Sequence, residues 1–350
     1  MNDLPKSPLK IKNIGIVLET QADAERTGLP MEKLYHWREI EEIRAVTEAI
    51  KSLGYDCRLI GPPSLLCAEL NNFRGKIDFV FNISVGFISR NRMALAPSLY
   101  ILAGIPYSGA DPYSKMLSQN KQLTKALLDK LGFPTPAWAY IAETNDLAGA
   151  SFPEYPLIVK PAHEGASIGM GPDAVVRSRQ ELHERACHIL QSLQMPVIVE
   201  QFISGRELKV GFVGDKDLVF QGLMEDTLSD GCPLGNGFLY FDAKKQGSFS
   251  KVARDFKSRE FAGLKRDCEA IYKHFLPIDY ATFDVRMDAQ GKHYFLEINA
   301  DATLHPARTL ARCCALNGLS YKELIQGIIE SAFQRQGSDR VHSGRGSQLA

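Results

Sequence analysis

The sequence predicts an open α/β layer followed by a β-rich α+β region, divided among two or three subdomains. In the first third of the chain, apolar runs of strand length alternate with segments of helical periodicity. From about residue 155 onward β-rich segments dominate, with helical segments between them. A length of 350 residues allows a large core and favours several subdomains over one.

The open α/β layer is predicted from two strand-length apolar segments, IKNIGIVLE and IDFVFNIS, which flank a helix. In that helix apolar side chains recur at helical spacing, and a glycine stands where the helix should end. Alternating strands and helices of this kind are typical of an open α/β sheet. The helical positions are Ile40, Ile43, Thr47, Ile50 and Gly54.

A second unit begins after a Gly/Pro-rich corner, YILAGIPYSGADP. The segment NKQLTKALLDKLGFPTP then predicts a helix that ends at Gly132, because two prolines follow shortly after. Three β-rich segments come next, with a helical stretch at 178–193 between the first two. They are YPLIVKP, PVIVEQFI and GRELKVGFVG.

The final third contains a long polar segment, a hairpin and two helices. The polar segment runs from Glu225 to about Lys257, and its length predicts a functional or mobile loop. The hairpin is YATFDVRMDAQGKHYFLEIN, and the two helices follow it. The tail RQGSDRVHSGRGSQLA is polar, and we expect it to be disordered.

Composition and charge argue against several classes of function. Lysine plus arginine and aspartate plus glutamate both number 41, so the charge balance gives no reason to expect nucleic acid as a partner. We find no apolar run of the roughly 18 residues that span a bilayer, and no apolar core of a secretion signal. The seven cysteines follow neither a disulfide framework nor zinc spacing. We therefore expect a reduced, cytoplasmic protein without a membrane partner.

The end of the hairpin carries three oxygen-bearing side chains. Asp284 and Glu297 project from the same face if the hairpin loop has two or four residues, and Asn299 follows two residues later. Two like charges this close destabilise a sheet by up to about 1 kcal/mol, so a neutralising cation is expected. Two carboxylates and an amide suit Mg²⁺, which prefers oxygen ligands. The alternative is a solvated strand face.

Two further segments have the chemistry of a phosphate site. In VKPAHEGASIGMG, Lys160 ends an apolar strand, and the small residues that follow can offer backbone N–H groups to anionic oxygens. Further along, Glu200 and Glu207 lie on either side of a turn. The alternatives are an ordinary turn for the first segment and a β-turn with exposed carboxylates for the second.

In this order and spacing, five segments resemble the ATP-grasp ligases of the D-alanine–D-alanine ligase type. The resemblance runs from about Ile77 to Leu324. It implies a three-subdomain ATP-grasp fold, α/β and α+β, with an N-terminal open α/β layer and with ATP held between two antiparallel sheets. It also implies that a carboxylate is activated as an acyl phosphate and then attacked by an amine. The segments are GIPYSGADP, NKQLTKALLDKLGFPTP, PLIVKPAHEGASIGM, VIVEQFISGREL and FDVRMDAQGKHYFLEIN.

The resemblance also implies cofactors, partners and subdomain bounds. The cofactors are ATP and Mg²⁺, with Mn²⁺ as an alternative metal, and the substrates are small molecules, an amino acid and an acceptor. Members of the family often form dimers through the N-terminal region, so a homodimer is expected. The implied bounds are 1–115 for the N-terminal α/β domain, 116–210 for the central subdomain, 211–335 for the C-terminal subdomain with the metal site and a lid, and 336–350 for a disordered tail.

Site residues follow from the same resemblance, position by position. Lys121, Lys160 and, on the mobile loop, Lys244 are implied to contact the nucleotide phosphates. The loop from Gly165 to Gly169, which contains Ser167, is implied to close over them. Lysines and a metal supply the charge neutralisation that phosphoryl transfer requires. The remaining assignments are Glu200, Gln201 and Ile203 to adenine and the hinge, Glu207 to the ribose, and Asp284, Glu297 and Asn299 to the metal.

The substrate half of the chain departs from the family pattern. Thr282 occupies the position at which an arginine normally stabilises the tetrahedral intermediate. The family's early glycine-rich motif, with its substrate-binding glutamate, is missing, and Glu19 and Glu25 are the candidate substitutes. Arg308 is the nearest candidate for the missing cation or for a bidentate contact to a substrate carboxylate, and its alternative is a surface arginine. The predicted catalytic residues are Lys160, Ser167, Lys244 and Arg308.

These departures predict a ligase whose substrates are not two D-alanines. The leading hypothesis is an ATP-dependent ligase of specialised metabolism that joins an amino acid amine to a carboxylate or similarly activated oxygen. A dipeptide ligase and a mycosporine-type ligase both fit this description. The alternatives are a D-alanine–D-alanine ligase of cell-wall synthesis and a non-catalytic ATP-binding protein.

Overall fold

The fold consists of three β-sheets and the helices that pack on them. The structure is a computed structural model, and it describes the chain in six stretches. These are residues 11–28, 37–87, 90–163, 170–237, 249–300 and 302–343, with side chains of the last stretch described as far as Gln336.

The strands are short in the first two sheets and longer in the third. In chain order they are β1 (Asn13–Val17), β2 (Asp56–Gly61), β3 (Phe79–Asn82), β4 (Trp138–Ile141), β5 (Leu157–Pro161), β6 (Val175–Val176), β7 (Val197–Gln201), β8 (Arg206–Val213), β9 (Phe220–Leu228), β10 (Phe249–Arg254), β11 (Tyr280–Met287) and β12 (His293–Asn299).

The helices range from a single turn to more than twenty residues. In chain order they are α1 (Gln21–Glu25), α2 (Ile40–Ser52), α3 (Pro63–Ala68), α4 (Leu70–Phe73), α5 (Arg92–Ala103), α6 (Pro112–Gln119), α7 (Lys121–Leu131), α8 (Asp146–Gly149), α9 (Arg179–His188), α10 (Ala262–Tyr272), α11 (Thr309–Leu316) and α12 (Tyr321–Ser343). Among these described helices, none is both long and apolar enough to cross a membrane.

The N-terminal sheet is the predicted open α/β layer. Its strands are parallel, in the order β2-β1-β3. The apolar face of α2, which includes Val46 and Ile50, packs on β1 and β3 together with residues of α12. The helix ends at Ser52, and Gly54 follows with a positive φ of 90°, a conformation that favours glycine. The prediction for this region is therefore confirmed.

The second sheet is antiparallel, with four strands in the order β4-β7-β5-β6. Leu182 and Ala186 of α9 pack against its apolar face. The helix begins after Ser178, whose side chain accepts a hydrogen bond from the Glu181 backbone N–H. One π-helical turn continues it from Ile189 to Leu193, so the helical stretch predicted at 178–193 is confirmed.

The third sheet is antiparallel, with five strands in the order β10-β9-β8-β11-β12. Helices α6, α7 and α10 contribute to the apolar core on one face, through residues such as Leu117, Leu128 and Leu264. Helix α11 covers one end of the other face, where Gly211 lies against Leu310. The remainder of that face is polar and forms one wall of the candidate site.

The structure corrects two subdomain boundaries. A boundary after residue 210 cuts through β8, which belongs entirely to the third sheet, so the division falls in the linker at 202–205. The tail prediction also changes, because α12 continues to Ser343. The Gln336 amide in that helix donates to the Tyr107 carbonyl oxygen and accepts from the Tyr107 N–H. Residues 344–350 lie outside the described part of the chain.

The bounds of the expected mobile loop also narrow. Residues 225–228 belong to β9, and they pair with β10 in an antiparallel register in which Glu225 lies opposite Val252. The candidate lid is therefore confined to about 229–248 rather than 225–257. Residues 238–248, which include Lys244, lie outside the described residues.

Candidate active site

The candidate metal carboxylates lie side by side on the third sheet. Asp284 of β11 is directly opposite Glu297 of β12. The hairpin loop has five residues, 288–292, rather than the expected two or four. A β-bulge shifts the register between Asp284 and Val285 by one residue and restores the pairing. The predicted shared face is thus reached through a bulge that the sequence analysis did not foresee.

Nearby lysines and an amide surround this pair. The Asn299 side-chain amide donates to Glu297 Oε1 at 3.3 Å, and Lys121 Nζ lies 3.7 Å from Glu297 Oε2. Lys209 Nζ donates to Asp284 Oδ2 at 2.7 Å and lies 2.9 Å from Glu207 Oε1. The result is a continuous row of charges along the polar face of the sheet.

The two carboxylates have different acidities. Burial raises the pKa of Asp284, and the neighbouring Glu297 carboxylate adds to this effect. Burial acts on Glu297 in the same direction, but the lysines at 121, 160 and 209 outweigh it and lower its pKa. Two opposed carboxylates and an adjacent amide fit an oxygen-coordinated divalent cation, which would offset their repulsion.

A buried group of two lysines around one glutamate lies in the second sheet. Lys160 Nζ is 2.8 Å and Lys125 Nζ 3.1 Å from Glu200 Oε1. Burial lowers the pKa of Lys125 to about 8, although Glu200 opposes this shift. Burial would raise the pKa of Glu200, but the two lysines lower it. Glu200 therefore orients Lys160, and its predicted contact with adenine stays a prediction.

Helix α7 joins the two antiparallel sheets. Asn120 caps its first turn by accepting a hydrogen bond from the Leu123 backbone N–H. Lys121 and Lys125 are four residues apart and share one face of the helix. Lys121 contacts Glu297 of the third sheet, whereas Lys125 contacts Glu200 of the second. One short helix thus places two cations between the sheets.

The linker between the sheets contains the predicted adenine contacts. Gln201 ends β7, and Ile203 is buried in the linker that follows. Gly205 has φ +138°, and an added Cβ would lie 2.1 Å from the Met287 carbonyl oxygen, so this position requires glycine. The Arg286 guanidinium donates to the carbonyl oxygens of Gly205 and Gly237. It therefore holds the linker and the start of the candidate lid together.

The N-terminal layer contacts the loop that follows β12. Glu19 follows β1, and its carboxylate accepts hydrogen bonds from the Ser84 hydroxyl and from the N–H groups of Val85 and Gly86. Burial raises the pKa of Glu19. Glu42 of α2 accepts from the N–H of Leu304, in the loop that follows the candidate metal ligands. The loop after Asn299 is thus docked onto this layer.

Arg308 lies apart from the charged row. Its side chain is about half exposed, and its guanidinium donates to Glu39 Oε1 at 2.9 Å. His305 Nε2 contacts the other oxygen of Glu39 at 3.4 Å. These contacts match the alternative reading of Arg308 as a surface residue. Its predicted catalytic role stays a prediction.

Most of the predicted site residues are brought together. Gly165 and Ser167 lie outside the described residues, as does Lys244. Glu25 is an exposed residue of α1 whose carboxylate accepts a hydrogen bond from the Gln21 side-chain amide. The contacts place Lys121 beside Glu297, Lys160 beside Glu200, and Glu207 and Asp284 beside Lys209. Asn299 is hydrogen-bonded to Glu297, Gln201 ends β7, and Ile203 lies in the linker that follows.

Sequence reasoning missed three cations at this site. Lys125 could have been found from its spacing of four residues from Lys121 on a predicted helix. Lys209 could have been found from its spacing of two residues from Glu207 on a predicted strand. Arg286 has the same spacing from Asp284, but no local signal indicates that it binds carbonyl oxygens of a distant linker.

Comparisons with known proteins agree with this architecture. The family model described as the D-ala D-ala ligase C-terminus matches residues 127–330. A D-alanine–D-alanine ligase of Pseudomonas entomophila is 31% identical over 306 residues, which cover 84% of this chain and 88% of the relative. The protein y4sG of Sinorhizobium fredii is 30% identical over 307 residues, 83% of this chain and 87% of the relative.

Solved structures show the same fold. The D-alanine–D-alanine ligase of Bacillus anthracis complexed with ATP superposes with a TM-score of 0.69 at 18% identity. The match covers 95% of this chain and 99% of that enzyme. A structure of the B. anthracis enzyme described without ATP gives a TM-score of 0.70 at 19% identity, covering 94% of this chain and 99% of the other. The predicted ATP-grasp architecture is confirmed.

The fold and site define an ATP-grasp enzyme. The chain belongs to the D-alanine–D-alanine ligase family. As a member it is an ATP-dependent ligase, with ATP and Mg²⁺ as its cofactors.

Proposed function

We propose that the protein joins the amine of an amino acid to a phosphate-activated carboxylate, or a similarly activated oxygen, of a small molecule other than a second D-alanine. The observation that carries this proposal is the contrast between the two halves of the site. The nucleotide half has its lysines and its metal carboxylates in contact. In the substrate half, Thr282 stands in place of an arginine, and Arg308 is paired with Glu39 on the surface.

The residues divide the reaction between them. Lys121 and Lys160 hold phosphate oxygens, while Asp284, Glu297 and Asn299 would hold Mg²⁺, which neutralises charge on the phosphates. The γ-phosphoryl group moves from ATP to a carboxylate oxygen, and ADP leaves. The amine then attacks the acyl carbon, and inorganic phosphate leaves with one former carboxylate oxygen. Positioning and charge neutralisation are the main contributions that a protein makes to such a transfer.

The segments outside the described residues keep their predicted roles. Lys244 contacts the phosphates when the lid at about 229–248 is closed over ATP. The loop that contains Gly165 and Ser167 covers the phosphates from the second sheet. Among the described residues, Glu207 binds the ribose, and Gln201 and Ile203 bind adenine.

A second candidate function is D-alanine–D-alanine ligation. It is favoured by the names of several relatives, including the ligase of Aquifex aeolicus, which is 28% identical over 290 residues covering 82% of this chain and 92% of the relative. Within the leading proposal, a dipeptide ligase and a mycosporine-type ligase remain the two subclasses, both in specialised metabolism.

The experiment is ADP release with Mg·ATP in the presence of defined substrate pools. We expect little release with D-alanine alone, and release when pooled amino acids are combined with pooled small carboxylic acids or cyclic ketones. Turnover with D-alanine alone at the rate of the best pool would instead establish the second candidate. Mass spectrometry of the product then identifies the bond formed.

The proposed homodimer uses exposed apolar side chains on α5 and α6. Leu95, Ile101 and Leu102 on α5 are exposed, as are Tyr113 and Met116 on α6, and Leu102 is 86% exposed. Exposed apolar side chains of this kind favour burial in an interface. Light scattering should give a dimer mass for the wild type and a monomer mass for Leu102→Glu. A monomeric wild type at micromolar concentration would refute the dimer.

The proposed location is the reducing cytoplasm. All seven cysteines are free, and Cys268, Cys313 and Cys314 are buried among apolar side chains. Burial raises the pKa of each of these three thiols, which keeps them protonated and unreactive.

A further inference from the structure

Lys209 occupies the centre of the polar face of the third sheet. Its side chain is buried, with its ammonium within 2.9 Å of one carboxylate oxygen on each of Glu207 and Asp284. Glu207 and Asp284 belong to different ends of the proposed nucleotide site, the ribose end and the metal end. The triphosphate of a nucleotide that spans these ends must pass close to the Lys209 ammonium.

Lys209 is also next to the position that lacks the expected arginine. In the ladder between β8 and β11, Lys209 lies opposite Asp284 and Gly211 lies opposite Thr282. Lys209 and Thr282 are therefore diagonal neighbours on one face of the sheet, about 7–8 Å apart, within reach of a long side chain. Gly211 contributes no side chain between them, and Leu310 and Cys313 of α11 lie against it.

The other cations near this face are engaged differently. Arg286 donates to backbone carbonyls of the linker and the lid and also lies 3.9 Å from Glu207, and Lys251 pairs with Asp226 on the far side of β8. Lys160 is held by Glu200 in the facing sheet. Among the described residues, Lys209 is thus a cation of the third sheet that contacts a candidate metal carboxylate directly, and Lys121 of α7 contacts the other carboxylate from outside the sheet.

We propose that Lys209 is a catalytic residue that donates hydrogen bonds to the phosphoryl group during its transfer, and that it replaces the cation missing at Thr282. The γ-phosphorus loses its bond to the bridging oxygen of ADP and gains one to the substrate carboxylate oxygen. Negative charge on the non-bridging oxygens is stabilised by the Lys209 ammonium, and the lysine neither gains nor loses a proton. This inference rests on the proposed phosphoryl-transfer function.

The test compares binding of Mg·ADP with binding of Mg·ADP plus aluminium fluoride, which mimics the phosphoryl group in transfer. No carboxylate or amine substrate is needed. In Lys209→Met we expect the Kd for the fluoride complex to rise about 10- to 100-fold, the effect of losing one charge-assisted hydrogen bond. The Kd for Mg·ADP alone should change less than about threefold.

Moving the positive charge from position 209 to position 282 distinguishes a catalytic role of Lys209 from a purely structural one. The double variant Lys209→Thr with Thr282→Arg should regain most of the affinity for the fluoride complex, because the guanidinium reaches the same space from β11. Lys251→Met is the matched control, since it removes another lysine of the same face, and both of its Kd values should equal those of the wild type. If Lys209→Met does not fold, Lys209→Gln takes its place in the test. The glutamine keeps hydrogen-bond donors for both carboxylates, and we expect the same loss of affinity for the fluoride complex.

The outcomes distinguish this inference from the proposed function. Wild type that fails to bind Mg·ADP would overturn both. If the wild type binds the fluoride complex tightly and folded Lys209→Met or Lys209→Gln binds it equally well, only the role of Lys209 is refuted. The same conclusion follows if the folded double variant remains as weak as Lys209→Met.

Discussion

At the scale of single residues, the site depends on carboxylates that the fold brings together against their mutual repulsion. Asp284 and Glu297 are directly opposite each other, and burial raises the pKa of the first while lysines lower that of the second. A pair of this kind is stabilised by cations. Lys121 and Lys209 each contact one carboxylate of the pair, but Lys209 is shared with Glu207, so three carboxylates face two ammonium groups. The arrangement explains why the nucleotide should bind together with Mg²⁺.

Glu297→Gln should therefore lose most of the ATP turnover while it keeps the fold. The amide retains the shape of the side chain and can still accept the hydrogen bond from Asn299, but it offers Mg²⁺ no charge. We expect the rate of ADP release to fall by about 100-fold or more, with ADP binding still measurable. Glu269→Gln, on the surface of α10, is the matched control. Near-normal turnover in Glu297→Gln would contradict the assignment of Glu297 as a metal ligand.

Lys125 should make stability depend on pH. Its folded pKa of about 8 lies below the ordinary value of 10.5, so between these values the unfolded chain binds more protons. The free energy of unfolding contributed by this group should therefore rise with pH across that window, by up to about 3 kcal/mol. Urea denaturation of wild type and Lys125→Met at pH 7 and pH 10 measures the difference. If the difference in unfolding free energy between the two proteins is the same at both pH values, the lowered pKa of Lys125 is contradicted.

At the scale of elements, local sequence signals predicted the ends of helices better than they predicted the pairing register of strands. The bounds of α7 follow from Asn120 at its start and Gly132 at its end, because caps depend on neighbouring residues alone. The pairing of Asp284 with Glu297 was predicted, but for a loop of the wrong length. A bulge depends on how β12 packs against both β11 and the apolar core, which short-range patterns do not encode.

The lid is the element whose motion can be tested most simply. Gly235 and Gly237 lie at its described edge, and Arg286 donates to the Gly237 carbonyl oxygen. Limited proteolysis of the nucleotide-free protein should cut within 229–248, and Mg²⁺ with a non-hydrolysable ATP analogue should suppress that cut. Cleavage at equal rates with and without the analogue would indicate an ordinary surface loop.

At the scale of the whole molecule, a buried ion pair joins the last helix to the rest of the fold. Arg335 of α12 contacts Asp279 at 2.7 Å and donates to the carbonyl oxygens of Tyr107 and Gly109. Ser331 of the same helix donates to Asp279 as well. The N-terminal layer, the start of β11 and α12 therefore meet at one point.

Asp279→Asn should destabilise the protein strongly. The change leaves a buried guanidinium without its counter-charge, which costs about 3–5 kcal/mol. Asp56→Asn is the matched control, because its ion pair with Lys12 is exposed and should contribute less than about 1 kcal/mol. Urea denaturation measures both, and equal small effects would show that the pair does not secure α12.

The candidate nucleotide residues could be located from the sequence because they lie at the ends of recognisable strands and helices. The surroundings of the candidate substrate residues could not, since they depend on contacts between distant parts of the chain. Glu42 and Leu304 illustrate this, because 262 residues separate the two ends of their hydrogen bond. Arg308 was chosen by distance along the sequence from Asn299, and the fold instead pairs it with Glu39.

The central claim is that this enzyme activates a carboxylate by phosphorylation before an amine attacks it. Oxygen-18 transfer tests it most directly, with the substrate pair that supports ADP release and with both oxygens of the carboxylate labelled. We predict one labelled oxygen in each inorganic phosphate formed, since the phosphate leaves with a former carboxylate oxygen. Unlabelled phosphate, with both labelled oxygens still on the carboxylate, would show that ATP is hydrolysed by water and would contradict the account.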